Sequence, residues 1–470
     1  MTRNNELTDG RLRPAPRPIR LLASHIMVLW RQACMAVYGS FARKVMSLSA
    51  LTAAGQLSFL VALPLLSRIY SPADFGIFTI YLSIVNIGGP LVGLKFDSAL
   101  YAARTGREAR ATLVLCLLTI FAMSGLATFA LFAFSGKVGE MAGLSARRLE
   151  LILPFGLLLS GLWSASSAWA TRSQATTILG IARFGQPAIM TLLQLVAGIA
   201  MSVDGMTLVI AHLLSHLFYS TFIFSFTLTR ENFADLRFRA LRALPSHASR
   251  IRAFPLFVLP AQISVLSVSN LPPLLLSLVY GAGIAGHVGI AYRLVAVPLT
   301  VASMPLGAIF TSIVSRNPSP AATDQLARKV FVGNFFLVAL PVLALGLVAP
   351  RLAPVALGDR WALTGEIVEA FALLGAAQSL STPFSEITTI FRAQALRMTI
   401  EVVTALVVVA AIGVGALSGW TALETIWAMS AAGAVSSTLG LFAVFVRLRM
   451  LADRTPGDGV ASKTAGPAGP

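Results

Sequence analysis

The chain has 470 residues, of which 56% are apolar and only 12% are charged. Soluble domains carry roughly 25% charged residues, and the mean hydropathy here is +0.79. These values exclude a soluble enzyme, a disordered tail protein and a secreted disulfide scaffold, and they fit about twelve helices of ~20 residues crossing a bilayer. The two cysteines, Cys34 and Cys116, lie in apolar surroundings without metal-type spacing and read as packing residues.

Residues 1–20 are polar, basic and rich in proline, the composition of a disordered arm. Residues 21–40 are apolar around Arg31; they read as an interfacial helix rather than a span or a secretory signal. Six spans follow at 45–67, 76–96, 111–134, 150–170, 184–203 and 207–228. Six more lie at 254–280, 286–312, 329–349, 363–385, 400–418 and 422–446. The expected organisation is a basic arm (1–44), a six-helix lobe (45–228), a basic linker (229–253), a second six-helix lobe (254–446) and a disordered tail (447–470).

An even number of spans puts both termini on one side. With that side taken as cytoplasmic, its segments hold 29 of the 36 Lys and Arg residues and the opposite side six, with Arg293 inside a span. Such a bias places both termini in the cytoplasm. It also accounts for most of the net charge of +17, which reads as topology with some affinity for anionic membrane lipid, and not as nucleic-acid binding.

The halves resemble each other. At an offset of 210 residues Leu65, Leu66, Ser67, Tyr70, Gly76 and Ile80 meet Leu275, Leu276, Ser277, Tyr280, Gly286 and Ile290. Both stretches end an outward helix and begin an inward one, so the expected fold is all-α, with two six-helix lobes related by a pseudo-two-fold axis along the membrane normal.

There is no Gly-rich nucleotide loop ending in Gly-Lys-Ser/Thr, no HExxH and no Cys/His cluster of metal-ligand spacing, so no cofactor is expected. No outer loop has room for a catalytic domain, which leaves transport. Charge inside a bilayer is expensive and points to function. Arg293, about seven residues into its span, is a candidate to grip phosphate oxygens through its planar fork, with a structural pair to an acid on another helix or snorkelling to the interface as the alternatives. His212 and His216 share a helix face, and imidazole is the side chain that can change charge near neutral pH, which suits coupling to protons, with interhelical hydrogen bonding or packing as the alternative. Glu366 and Glu369, one turn apart, are a second candidate ion-coupling pair, with exposure to water as the alternative. Glu401 reads as a partner of Arg392 or Arg397. Pro260, Pro272, Pro273 and Pro298 break or kink two helices of the second half, with Asn270 beside the central pair. Such breaks mark a gate or a cavity wall.

The stretch Leu63–Phe78 (LPLLSRIYSPADFGIF), followed by Lys95-Phe96-Asp97 before Ser98-Ala99, resembles the opening of bacterial polysaccharide flippases of the Wzx type. Further similarity lies at Phe254-Pro255, Leu271-Pro272, Gly286–Pro298 including Arg293, and Gly358-Asp359-Arg360-Trp361. Lys95 and Asp97 stand where Arg and Glu are commoner in that family; the charge signs survive. The resemblance implies a two-lobed transporter of the multidrug/oligosaccharidyl-lipid/polysaccharide superfamily with a cation-lined central cavity. It would move undecaprenyl-diphosphate-linked oligosaccharide across the bacterial cytoplasmic membrane by alternating access, not as an enzyme, beside a glycan polymerase and glycosyltransferases. Arg293, Lys95 and Asn270 are then the candidate substrate-binding residues. Two alternatives stay open: a small-molecule or drug/cation antiporter of the same superfamily, and a non-transporting scaffold or transferase of a glycan-synthesis complex.

Overall fold

The computed structural model describes residues 40–133, 146–200, 204–228, 244–316, 319–385, 387–391 and 393–453. The basic arm up to residue 39, the expected interfacial helix except its last residue, and most of the linker and tail lie outside the described residues; residues 40–44 of the arm open the first helix. Met1–Val45 is a separate unit, described only at the start of the first helix; Met46–Pro470 is the main body.

Helices of the first half are α1 (Ser40–Ile69), α2 (Pro72–Gly88), α3 (Phe96–Ala102), α4 (Gly106–Ala133), α5 (Ala146–Arg172), α6 (Thr176–Ala200) and α7 (Gly205–Thr227). A short connector, α8 (Leu244–Arg250), precedes the second half: α9 (Leu259–Tyr280), α10 (Ala282–Pro298), α11 (Met304–Arg316), α12 (Pro320–Asn334), α13 (Leu340–Leu357), α14 (Ala362–Ser381), α15 (Ile387–Ile390), α16 (Gln394–Leu417) and α17 (Ala422–Asp453). Among the described residues ten helical segments are long and apolar enough to cross a membrane. Two shorter apolar stretches, Pro72–Gly88 and Asn270–Tyr280, occupy the second and seventh expected spans, so all twelve positions are helical. The last helix runs seven residues into the expected tail.

Local chemistry sets the helix ends. At α2, Ser71 Oγ accepts from the Asp74 N–H (3.2 Å), Asp74 Oδ2 accepts from the Ser71 N–H (2.9 Å), and Pro72 opens the helix, a capping box with proline at its preferred position. Thr421 and Glu424 repeat the box at α17. The span expected over 76–96 is instead interrupted. Gly88-Gly89-Pro90 stops α2, and Leu94 and Lys95 turn left-handed (φ 48° and 58°) before α3 starts. Proline has no N–H to continue the ladder, and consecutive glycines weaken the turn before it.

Among the described residues the second half has three π-helical turns: Phe254–Val258, Leu299–Ser303 and Phe335–Ala339. Each is closed by the N–H of the residue just before a proline. Leu259 donates to the Phe254 carbonyl, Met304 to Leu299 and Leu340 to Phe335, ahead of Pro260, Pro305 and Pro341. The missing proline N–H lets the ladder slip by one residue and absorb the ring. Pro260 and Pro298 therefore flank π turns, whereas Pro272 and Pro273 lie within α9.

The internal repeat is built into the contact between the halves. A methyl group on Gly76 would collide with the Ala282 carbonyl oxygen, and one on Gly286 with the Pro72 carbonyl oxygen. The offset of 210 that maps Gly76 onto Gly286 also maps Pro72 onto Ala282, so the two collisions are one contact repeated by the pseudo-two-fold. Lipid gives packed helices no hydrophobic drive, and small residues let backbones approach closely instead. Equivalent hydroxyls follow the same symmetry: Ser67 Oγ donates to Pro64 O (3.1 Å) and Ser277 Oγ to Leu274 O (2.6 Å). The fold is the expected pair of six-helix lobes.

Candidate functional site

The lobes meet tightly at the end of the molecule that holds the α1–α2 and α13–α14 turns. There Trp361, fully buried, donates from Nε1 to the Ser67 carbonyl (2.9 Å), and Arg360 Nη2 donates to the Ser67 and Arg68 carbonyls (2.6 Å each). Phe75 and His287 meet the Trp361 ring edge to face at 5.5 and 5.3 Å. These bonds join the last turn of α1 in one lobe to a loop of the other.

Further along α2 and α10, away from this closure, the helices separate around a cavity of about 410 Å³. Its walls come from α1, α2, α6 and α7 of the first lobe and from α9 and α10 of the second. Thr79, Ser83 and Asn86 face it from α2, and Gly289, Tyr292 and Arg293 from α10. Spacings of four and three residues put each set on one helix face. Asn86 Nδ2 donates to Asn270 Oδ1 (3.3 Å) across the lobes, and Asn270 Nδ2 donates back to the Leu266 carbonyl of its own helix (2.9 Å).

Arg293 lies deeper than the expected span implied. The helix begins at Ala282, four residues earlier than the expected start at 286, which puts Arg293 about 16 Å along it at 1.5 Å per residue. Its Cζ sits 4.5 Å from the Phe59 ring centroid and 5.0 Å from that of Phe78. A guanidinium in mid-membrane costs about 2.5–3.5 kcal/mol on insertion scales, and each cation–π contact returns roughly 0.5–2 kcal/mol. The two rings therefore hold the charge without a carboxylate. No acidic residue is among the described residues lining the cavity, and none of the described ion pairs involves Arg293.

His212 and His216 line the same cavity with ring centroids 4.1 Å apart. His212 Nδ1 lies 3.2 Å from Tyr81 Oη, and Gln186 Nε2 lies 3.2 Å from His216 Nδ1. Trp163 packs beside His216 at 5.6 Å. The structure thus brings together Arg293, Asn270, Pro273, His212 and His216, which the sequence singled out one by one.

Other candidates sit elsewhere. Lys95 does not line this cavity: it is buried, its Nζ 3.2 Å from Asp97 Oδ2, at the break between α2 and α3 and among Phe96, Leu100, Leu113 and Cys116. There it neutralises Asp97 and pins the interrupted helix. Glu366 is exposed and Glu369 half-buried on α14, outside the cavity and apart from the histidines. Arg397 Nε pairs with Glu401 Oε1 at 2.9 Å, the structural pairing expected for that glutamate. The polar face Thr79, Ser83 and Asn86, and Gln56 and Gln186 opposite, were not singled out in the sequence; a polar stripe at positions i, i+4 and i+7 of an otherwise apolar helix was the available signal.

Outside the membrane-spanning helices, α8 docks on α4 through His247, whose Nε2 lies 2.8 Å from Thr112 Oγ1. Burial, and then the nearby Arg250, hold this imidazole below its ordinary range.

No functionally curated protein matches the sequence significantly. A family model described as polysaccharide biosynthesis protein matches residues 65–366, more than half of the chain. An inward-facing multidrug resistance MATE family transporter of the MOP superfamily superposes with a TM-score of 0.66 at 15% identity, over 88% of this chain and 96% of that one. The lipid II flippase MurJ, in an inward closed conformation, gives 0.59 at 14% identity over 87% and 89%. A MOP superfamily transporter from Pyrococcus furiosus, described by the reversed polarity of its binding pocket, gives 0.58 at 14% identity over 88% and 97%. The superpositions give the chain the two-lobed fold of these MOP superfamily proteins, and the family match over more than half of its length shows that it belongs to the polysaccharide biosynthesis protein family.

Proposed function

We propose that the protein flips a polyprenyl-diphosphate-linked oligosaccharide across the bacterial cytoplasmic membrane by alternating access. The observation that carries this reading is Arg293, a guanidinium with no carboxylate partner among the described residues, in a cavity between two lobes that are bonded together at the Trp361 end. A diphosphate offers such a fork paired oxygens in the matching geometry, and the amides of Gln56, Asn86 and Asn270 are groups that hydrogen-bond sugar hydroxyls. A drug/cation antiporter needs negative charge where its cargo sits, and the described lining offers a positive one. The test is complementation. In a host lacking its own flippase, this chain should restore surface glycan, and failure with every matched lipid-linked repeat unit would remove the reading.

Both termini are placed in the cytoplasm on the charge bias. A reporter active only in the cytoplasm should work at the C-terminus and within 229–253 and fail within 135–149. The closed end is then the outer one, and the cavity belongs to an inward-open state.

The energy source is proposed as protons, on the His212–His216 pair. Two imidazolium charges about 4 Å apart repel by roughly 4 kcal/mol at an effective dielectric of 20, and Arg293 adds to that repulsion, so the pair takes up at most one proton at a time. A proton drives transport only by binding the two access states unequally. Flipping of a fluorescent lipid-linked oligosaccharide in vesicles should follow an imposed pH gradient, and His212→Ala/His216→Ala should blunt that response while leaving ungraded flipping. Wild-type flipping indifferent to the gradient returns the histidines to packing.

A further inference from the structure

On the flank of the C-terminal lobe, away from the cavity between the lobes, α12 and α17 leave a second groove, of about 590 Å³. Its wall is Phe331, Val332, Leu441, Phe442 and Phe445, and its rim is Asp324, Arg328 and Arg449. The sequence builds this polarity twice. On α12 the order along one face is Asp324, Arg328, Phe331, charge before apolar; on α17 it is Leu441, Phe445, Arg449, apolar before charge. The helix of 320–334 opens the ninth span and that of 422–453 is the twelfth, so they cross in opposite senses; with Phe331 and Phe445 meeting edge to face at 6.1 Å, their charges gather at one end.

Arg328 Nε is 3.0 Å from Asp324 Oδ2, an i,i+4 pair, and its side chain is 61% exposed. That bond uses one edge of the fork and leaves the terminal nitrogens to other partners. Arg449 is exposed on the facing helix, with Arg447 and Lys329 exposed close by in sequence. Two guanidiniums against one carboxylate give the rim a net positive charge above an apolar, aromatic wall. Phe442 is 67% exposed and Val332 46%. Basic residues are ordinary at cytoplasmic span ends; what distinguishes this cleft is that two of them, from different helices, converge on one apolar groove.

We propose that this groove holds one anionic phospholipid of the phosphatidylglycerol type, from the leaflet at that end of the molecule. Its phosphate lies between Arg328 and Arg449 and its acyl chain runs along Phe331, Phe442 and Phe445. A zwitterionic phosphatidylcholine brings its own ammonium to the rim and loses the electrostatic match. The site shares no residue with the Arg293 cavity and does not depend on what that cavity carries.

The test uses the full chain in mild detergent, with phosphatidylglycerol or phosphatidylcholine titrated and bound lipid counted by native mass spectrometry. Phosphatidylglycerol should bind at least tenfold tighter. Arg328→Gln/Arg449→Gln should weaken it by about thirtyfold, since each basic residue near an anionic headgroup supplies about a fivefold factor, and should leave phosphatidylcholine unchanged. Equal binding of the two lipids by the wild type, or an unaltered preference in the double variant, overturns the proposal. Should the variant fail to fold, a photoactivatable phosphatidylglycerol on the wild type decides. Labelling within 324–332 and 438–449, competed by phosphatidylglycerol and not by phosphatidylcholine, supports the site, and labelling only elsewhere overturns it.

Discussion

Arg293→Ala is expected to abolish surface glycan in a flippase-deficient host while the protein still reaches the membrane at its normal level. Charge-assisted hydrogen bonds are worth about 1.5–3 kcal/mol each. A bidentate grip on a diphosphate therefore accounts for about a hundredfold or more in affinity for the head group. Arg293→Lys keeps the charge but loses the planar fork and the stacking on Phe59 and Phe78, so it should restore roughly a tenth of wild-type export. The measurement is surface glycan per unit of membrane protein, with thermal unfolding of the purified variants as the control. The alanine variant gives up the cation–π contacts along with the mid-membrane charge, and those terms oppose each other, so its stability should change little. Wild-type export from Arg293→Ala would remove this residue from the mechanism.

The lobes, their repeat and the depth-bearing arginine were legible in the sequence because each is a property of one helix or of a fixed offset between helices. Twelve apolar segments follow from hydropathy, and the 210-residue offset follows from Ser67, Tyr70 and Gly76 recurring as Ser277, Tyr280 and Gly286. The break in the second span was also written there, in Gly88-Gly89-Pro90, but an apolar run reads as continuous when only its hydropathy is followed. Proline positions announced distortion without saying which kind. Pro272 and Pro273 stay inside a helix, while Pro260, Pro305 and Pro341 each produce a π turn one residue earlier, a distinction that depends on which carbonyl finds another donor.

What the sequence does not carry is which residues meet across the lobes. Lys95 and Arg293 have the same charge and looked like equal candidates, yet Asp97, two residues on, captures Lys95 in a buried pair, whereas nothing near Arg293 in the chain is acidic. Asn86 and Asn270 are 184 residues apart, and only the packing of α2 on α9 and α10 makes them partners. The motif Gly358-Asp359-Arg360-Trp361 could be recognised as a motif, but its work of binding the carbonyls of Ser67 and Arg68 appears only once the two lobes are placed together.

That closure makes a second large effect expected. Alternating access requires α2 and α10 to separate at the Trp361 end. A Cβ on Gly289 would lie 3.0 Å from the Thr79 Cβ, about half an ångström inside the roughly 3.5–4.5 Å of a disulfide, and replacing the threonine by cysteine removes its branched Oγ1 and Cγ2 atoms, the two that such a Cβ would meet more closely. Thr79→Cys/Gly289→Cys should therefore oxidise readily and tie the lobes together beside the cavity. Export should fall to background under oxidising conditions and recover on adding reductant, with each single variant indifferent to the redox state. The lock also separates binding from transport: a labelled lipid-linked oligosaccharide should still enter the oxidised protein through its open side and reach Arg293, while release on the closed side stops. If the oxidised double variant exports at the reduced rate, the contact of Thr79 and Pro72 with Gly289 and Gly286 is a permanent seam of the fold, and the movement that admits and releases cargo must lie elsewhere.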